Sequence, residues 1–116
     1  MNAQDQRHAL DRQIRAHEDQ VAEDLSTIRV LEQEWDDYRQ VMRENTARFE
    51  EASIAIGSDN YFVQKQLAAR KELDSYVGRL AYEQEESLAE TAQSIRSESE
   101  AELDRLRNER AGASWD

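Results

Sequence analysis

Ile14, Val21, Ile28, Trp35, Met42, Phe49 and Ile56 stand seven residues apart, so a large apolar side chain recurs at every heptad step from 14 to 56. Seven residues make nearly two α-helical turns, and such a series lies as a stripe along one side of a helix. A strict heptad stripe asks for a second helix to pack against it. The positions between the apolar members include His17, Asp24 and Asn45. Polar residues at a seam fix register at some cost in stability. Leu25, beside Asp24, covers the gap there.

Proline is absent, and Gly57-Ser58-Asp59-Asn60 is the only cluster of turn formers. Gly57 suits a left-handed cap after Ile56, and Ser58, Asp59 or Asn60 can accept as N-cap of the next helix. The pattern predicts a tail over 1–8, a helix over 9–56, a turn over 57–60, a helix over 61–110 and a tail over 111–116. Near-equal helices around a short turn make an all-α fold, a long antiparallel helical hairpin or two-helix coiled coil. Folding at residue 58 sets Leu10 level with Leu106, Val21 with Ile95, Ile28 with Leu88 and Phe49 with Leu67. Trp35 then falls beside Leu80 and Ala81 as the central core anchor, and Tyr38 beside Val77 and Gly78. Glycine costs about 1 kcal/mol inside a helix, and room for Trp35 or Tyr38 is a reason for Gly78. Along the second helix the rhythm of Leu73, Val77 and Leu80 breaks at Glu83-Gln84-Glu85-Glu86 and resumes out of phase at Leu88, a stutter.

A two-helix seam buries one stripe per helix. Val30, Val41, Ile54, Tyr61, Phe62 and Val63 fall outside it, and Val41, Ile54, Tyr61, Phe62 and Val63 are the candidate partner-binding residues. With 35% charged residues and 3 glycines the composition suits solvated helices. The net charge of −11 argues against nucleic acid and against an anionic membrane surface. No apolar run approaches the roughly 20 residues of a membrane span. The polar start, Met1-Asn2-Ala3-Gln4-Asp5-Gln6, lacks signal-peptide character, so the cytoplasm is the expected location. Cysteine is absent. His8 and His17 fall on opposite sides of a helix and cannot share a metal. No Glu-x-x-His pair, phosphate loop or calcium loop occurs. Neither enzyme activity nor a metal or cofactor is expected.

Tyr82-Glu83-Gln84-Glu85-Glu86 fits a Tyr-x-x-x-Asp/Glu pattern, with Tyr82 and Glu86 as its ends. Thr46-x-x-Phe49-Glu50-Glu51, Phe62 just past the turn and the closing Leu103-x-x-Leu106-Arg107-Asn108-Glu109-Arg110 complete a set that spans most of the chain. An acidic, cysteine-free hairpin with these features resembles the small helical proteins of type VII secretion systems, WXG-like in shape. The Trp-x-Gly turn of the main family is absent: Gly57-Ser58-Asp59-Asn60 holds the turn and Asp36-Asp37 follows Trp35. The closer likeness is to the accessory partners of LXG toxins, which lack that turn motif. The resemblance implies a targeting chaperone that binds the helical N-terminal domain of a toxin and promotes its export, with Tyr82 and Glu86 as an export signal and co-secretion with the partner. The alternative is a homo-oligomeric coiled-coil scaffold or spacer. A stalk protein of a type III or flagellar system ranks third, because those stalks need basic surfaces.

Overall fold

The computed structural model describes residues 2–57 and 59–113. Met1 of the expected first tail, Ser58 of the expected turn and residues 114–116 of the expected last tail lie outside the described residues. Two helices, α1 (Ala3–Ile56) and α2 (Tyr61–Ala113), make an all-α helical hairpin, with no strand among the described residues.

The helix ends follow from their caps. Asn2 accepts a hydrogen bond from the Asp5 amide through its side chain (2.8 Å) and from the Gln6 amide through its carbonyl (3.1 Å). Helix therefore begins at Ala3, where a tail over 1–8 was expected, because an N-cap precedes good helix formers. Gly57, at φ 124°, donates to the Ser53 carbonyl and closes α1 in a conformation that side chains other than glycine rarely adopt. The Asn60 side chain then caps α2 by accepting from the amides of Phe62 (3.0 Å) and Val63 (3.3 Å). At the other end, α2 runs past the expected stop at 110 to Ala113, which is buried against Leu10 and Leu106.

Packing divides the described residues of the hairpin into two units, one of residues 2–29 with 88–113 and one within residues 30–87. In the terminal unit Leu10, Leu106 and Ala113 form a core cluster with Ile14 against it, so the expected pairing of Leu10 with Leu106 holds. Leu106, 2% exposed, is the largest fully buried side chain. Arg110 donates to Asp11 across the helices, and this hydrogen bond holds the Asp11 carboxyl below its usual range. Glu102 is also held low, first by hydrogen bonds from Arg105 and further by the charge of His17 on α1. Pairing of Asp11 with Arg110 and of Leu10 with Leu106 sets the start of α1 beside the end of α2, so the helices run antiparallel here.

The turn unit repeats that antiparallel arrangement with different chemistry. Arg39 bridges Asp36 on its own helix and Glu85 on α2. Lys71 pairs with Glu50 at 3.5 Å, and the Arg70 guanidinium lies 4.6 Å from the centre of the Phe49 ring. The buried side chains here are small: Val77 and Ala81 from α2, Thr46 and Ser53 from α1. Ser53 satisfies its hydroxyl by donating to the Phe49 carbonyl (2.7 Å).

Burial along α1 departs from the heptad stripe in three ways. Ile56 is 69% exposed, because it precedes the turn and lies past the covered part of α2. Asn45 is exposed, and Thr46 takes the seam position in its place. Between Asp24, Ile28 and Glu32 the seam takes two consecutive steps of four residues. That is a stutter, which rotates the seam by one position relative to the residues before it. In α2 the steps from Val77 to Ala81 to Glu85 do the same, at the place where the acidic run was expected to break the rhythm.

A globular monomer of 13.5 kDa would expose about 6500 Å². This chain exposes 8779 Å². Its stability therefore hangs on few contacts. Leu106→Ala is expected to cost about 2–5 kcal/mol by urea denaturation, enough to abolish a cooperative transition in a marginal hairpin. The Asp11–Arg110 pair gives a pH signature. The folded Asp11 value lies below the ordinary 3.8, so its stabilisation is complete above that range and fades as pH falls through the folded value. Asp11→Asn should lower the Tm at pH 7, and thermal melts should show the gap to the parent chain closing below pH 3.8.

Candidate partner-binding groove

The stutter in α1 creates the site. Ahead of it the seam uses His17 and Asp24; in that phase the next positions are Leu31, Tyr38 and Asn45. After it Glu32, Arg39, Thr46 and Ser53 are the residues turned inward. Leu31 and Tyr38 are rotated out onto the flank, 40% and 49% exposed. On α2 the same inversion leaves Leu73 and Tyr76 exposed, at 49% and 57%, while Asp74 and Glu85 are half-buried. Polar side chains thus take several seam positions of this unit, among Met42, Phe49, Leu67 and Val77, while Leu31, Tyr38, Leu73 and Tyr76 stand beside it.

These apolar residues are not scattered. Trp35 and Tyr38 from α1 and Leu73, Tyr76, Val77 and Leu80 from α2 line one groove of about 520 Å³, with Glu34 at its edge. Trp35 and Tyr38 meet edge to face, their ring centroids 6.2 Å apart and their planes at 85°. Leu31, four residues before Trp35, extends the α1 wall by one turn. Trp35, expected as the central core anchor, is half-buried and spends its open side on this groove. Leu31, Trp35 and Tyr38 on α1 and Leu73, Tyr76 and Leu80 on α2 stand at helical steps of three and four. The strict heptad hides this groove by assigning Trp35 to the seam alone.

Gly78 does not make room for the aromatic rings. A Cβ there would meet nothing within 4 Å, and the glycine lines a separate recess of about 110 Å³ with Arg39, Met42, Arg43, Asp74 and Val77. Arg39 Nε and Asp74 Oδ1 are buried without hydrogen-bond partners, as is Nε2 of His17 in the terminal unit.

The candidate residues from the sequence fall in three places. Val41 is 51% exposed and continues the α1 wall three residues beyond Tyr38. Ile54, Tyr61 and Phe62 lie at the turn, 74%, 67% and 75% exposed. The Tyr61 and Phe62 rings contact each other at 5.8 Å, with Lys65 Nζ 5.8 Å from the Tyr61 ring centre. Val63 is half-buried and in phase with Leu67, which gives it a seam position. Tyr82 and Glu86 are both exposed. The Tyr82 hydroxyl donates to the Glu86 carboxylate one turn on, and this bond raises the tyrosine pKa.

No family model matches the chain, and neither a curated protein nor a solved structure matches it. Among the described residues no helix is long and apolar enough to cross a membrane.

Two substitutions test the assignment of groove and recess by chemical denaturation. Gly78→Ala should stabilise the chain by about 1 kcal/mol, since a methyl group meets no obstacle and helix propensity improves. Tyr38→Ser combined with Tyr76→Ser should shift stability by no more than about 1 kcal/mol, because neither ring is part of the hairpin core.

Proposed function

We propose that this chain is a helical adaptor that binds a helical segment of another protein along the Trp35–Leu80 groove. The observation that carries the reading is the inversion in the turn unit: Arg39 and Glu85 turn inward while Leu31, Tyr38, Leu73 and Tyr76 stand outside. Moving charges into a seam and large apolar groups out of it is unfavourable for an isolated hairpin. It is favourable once another helix covers the exposed stripe. Two antiparallel helices with an apolar groove between them are half of a bundle, and completion by a partner helix is the physical mode. Binding rather than catalysis is the role.

The resemblance to the accessory partners of LXG toxins names the partner in this proposal. It is the helical N-terminal domain of a type VII secreted toxin, met in the cytoplasm and carried to export. The Tyr61–Phe62 pair with Ile54 offers a second, smaller contact at the turn. Tyr82 and Glu86, exposed on α2, serve as the export signal.

The test is co-purification of the chain with such a toxin domain, followed by light scattering. Leu73→Asp with Tyr76→Asp should abolish the complex while leaving helix content unchanged. Tyr61→Asp with Phe62→Asp should weaken it. Tyr82→Ala should spare the complex and reduce secretion. A chain that forms a stable homodimer and ignores the toxin domain would replace this reading with the homo-oligomeric scaffold.

A further inference from the structure

The rim of the groove is charged on both sides, and unevenly. Glu34, Asp37, Val41 and Glu44 follow one another along α1 at helical steps of three and four residues, all exposed. Glu72, Tyr76, Arg79 and Glu83 do the same along α2. Two of the carboxylates accept hydrogen bonds from neutral amides, Asp37 from Gln33 (2.9 Å) and Glu44 from Gln40 (3.2 Å), which leaves their charge uncancelled. Glu34 thus lines the groove itself, Glu72 and Arg79 line the recess that adjoins it at Tyr76, and Asp37, Glu44 and Glu83 continue the two exposed rows, five carboxylates against the guanidinium of Arg79.

We infer that the occupant of the groove is an amphipathic helix of another protein whose apolar stripe is flanked by Lys and Arg, and not a second copy of this chain. The inference rests on the adaptor reading and adds the chemistry of the partner. A second copy would bring the same acidic rim and a net charge of −11 to a surface of the same sign. Like charges brought together across an interface oppose association and select against that partner. A basic-flanked helix answers the rim from both sides while its Leu-sized side chains fill the space between Trp35, Leu73 and Leu80. The exposed rings of Tyr38 and Tyr76, with the open side of the half-buried Trp35, add faces over which a guanidinium or ammonium group can settle. The same field speeds encounter with a basic helix at low salt.

The experiment uses the whole chain with Trp115→Phe, which leaves Trp35 as the only tryptophan. Two synthetic amphipathic helices of about 20 residues share one leucine stripe and carry either Lys or Glu at the flanking positions. Binding is read from the blue shift of Trp35 emission, and self-association from sedimentation equilibrium. The Lys-flanked helix is expected to bind at least about tenfold tighter at low ionic strength, with the advantage shrinking as salt is added. The variant Glu34→Lys/Asp37→Lys/Glu72→Lys, with helix content checked by circular dichroism, should reverse the preference. Equal binding of both helices overturns the charge inference and leaves the groove reading intact. Binding of neither helix, or a homodimer whose formation shifts Trp35 emission, overturns both.

Discussion

Two helices share only one seam, and every other feature of this molecule answers to that limit. Each helix can bury a single stripe against its neighbour, about two residues in seven. The chain carries more large apolar side chains than that stripe accommodates. The seam itself is filled largely by small residues: Ala81, Ala92 and Ala113 with Ser53, Ser99 and Thr46. Small side chains let two helices approach closely but contribute little apolar burial each. The larger apolar side chains buried there are Leu10, Ile28, Val77 and Leu106, of which Leu106 is the most fully covered.

The two units use the limit differently. The terminal unit behaves as a conventional pair, with Leu10, Ile14 and Leu106 inside and the Asp11–Arg110 pair at the edge. The turn unit places the Arg39–Glu85 bridge, Asp74, Thr46 and Ser53 at or near its seam. Half-buried ionic groups stabilise a hairpin less than well-packed apolar ones would, and they leave Arg39 Nε and Asp74 Oδ1 without partners. What the inversion supplies instead is a continuous apolar wall on one flank. In that sense the stutter after Ile28 is the step linking sequence to proposed function, because one position of rotation decides whether Tyr38 or Arg39 faces α2.

The fold was legible from the chain because its signals are periodic and its break is single. Gly57 and Asn60 perform the capping that their residue types predicted. The helix starts earlier than expected because Asn2 is as good a cap as any later residue, and no apolar periodicity marks a capped first turn. The groove was not legible because a heptad count cannot report a rotation of the seam. Ile28, Trp35, Met42 and Phe49 keep the same spacing whether the second seam position lies three or four residues onward. The intervening residues carry that information, and their polarity pointed the wrong way: Leu31 and Tyr38 look like seam residues, Glu32 and Arg39 like surface. Val41, Ile54, Tyr61 and Phe62 were correctly found outside the hairpin core, while Val63, two residues beyond Tyr61, turned back into it.

If the proposed reading holds, the Trp35–Leu80 groove is the main surface that a partner helix covers, with the Ile54, Tyr61 and Phe62 cluster at the turn a smaller second contact. Carbene footprinting of the chain, free and mixed with the proposed partner, the helical domain of such a toxin, measures this directly at residue level. Strong labelling of Leu31, Tyr38, Leu73 and Tyr76 is expected in the free chain and is lost in the complex, with residues 10–28 and 88–106 unchanged. Protection confined to the terminal unit, or a groove already unlabelled in the free chain, would contradict it.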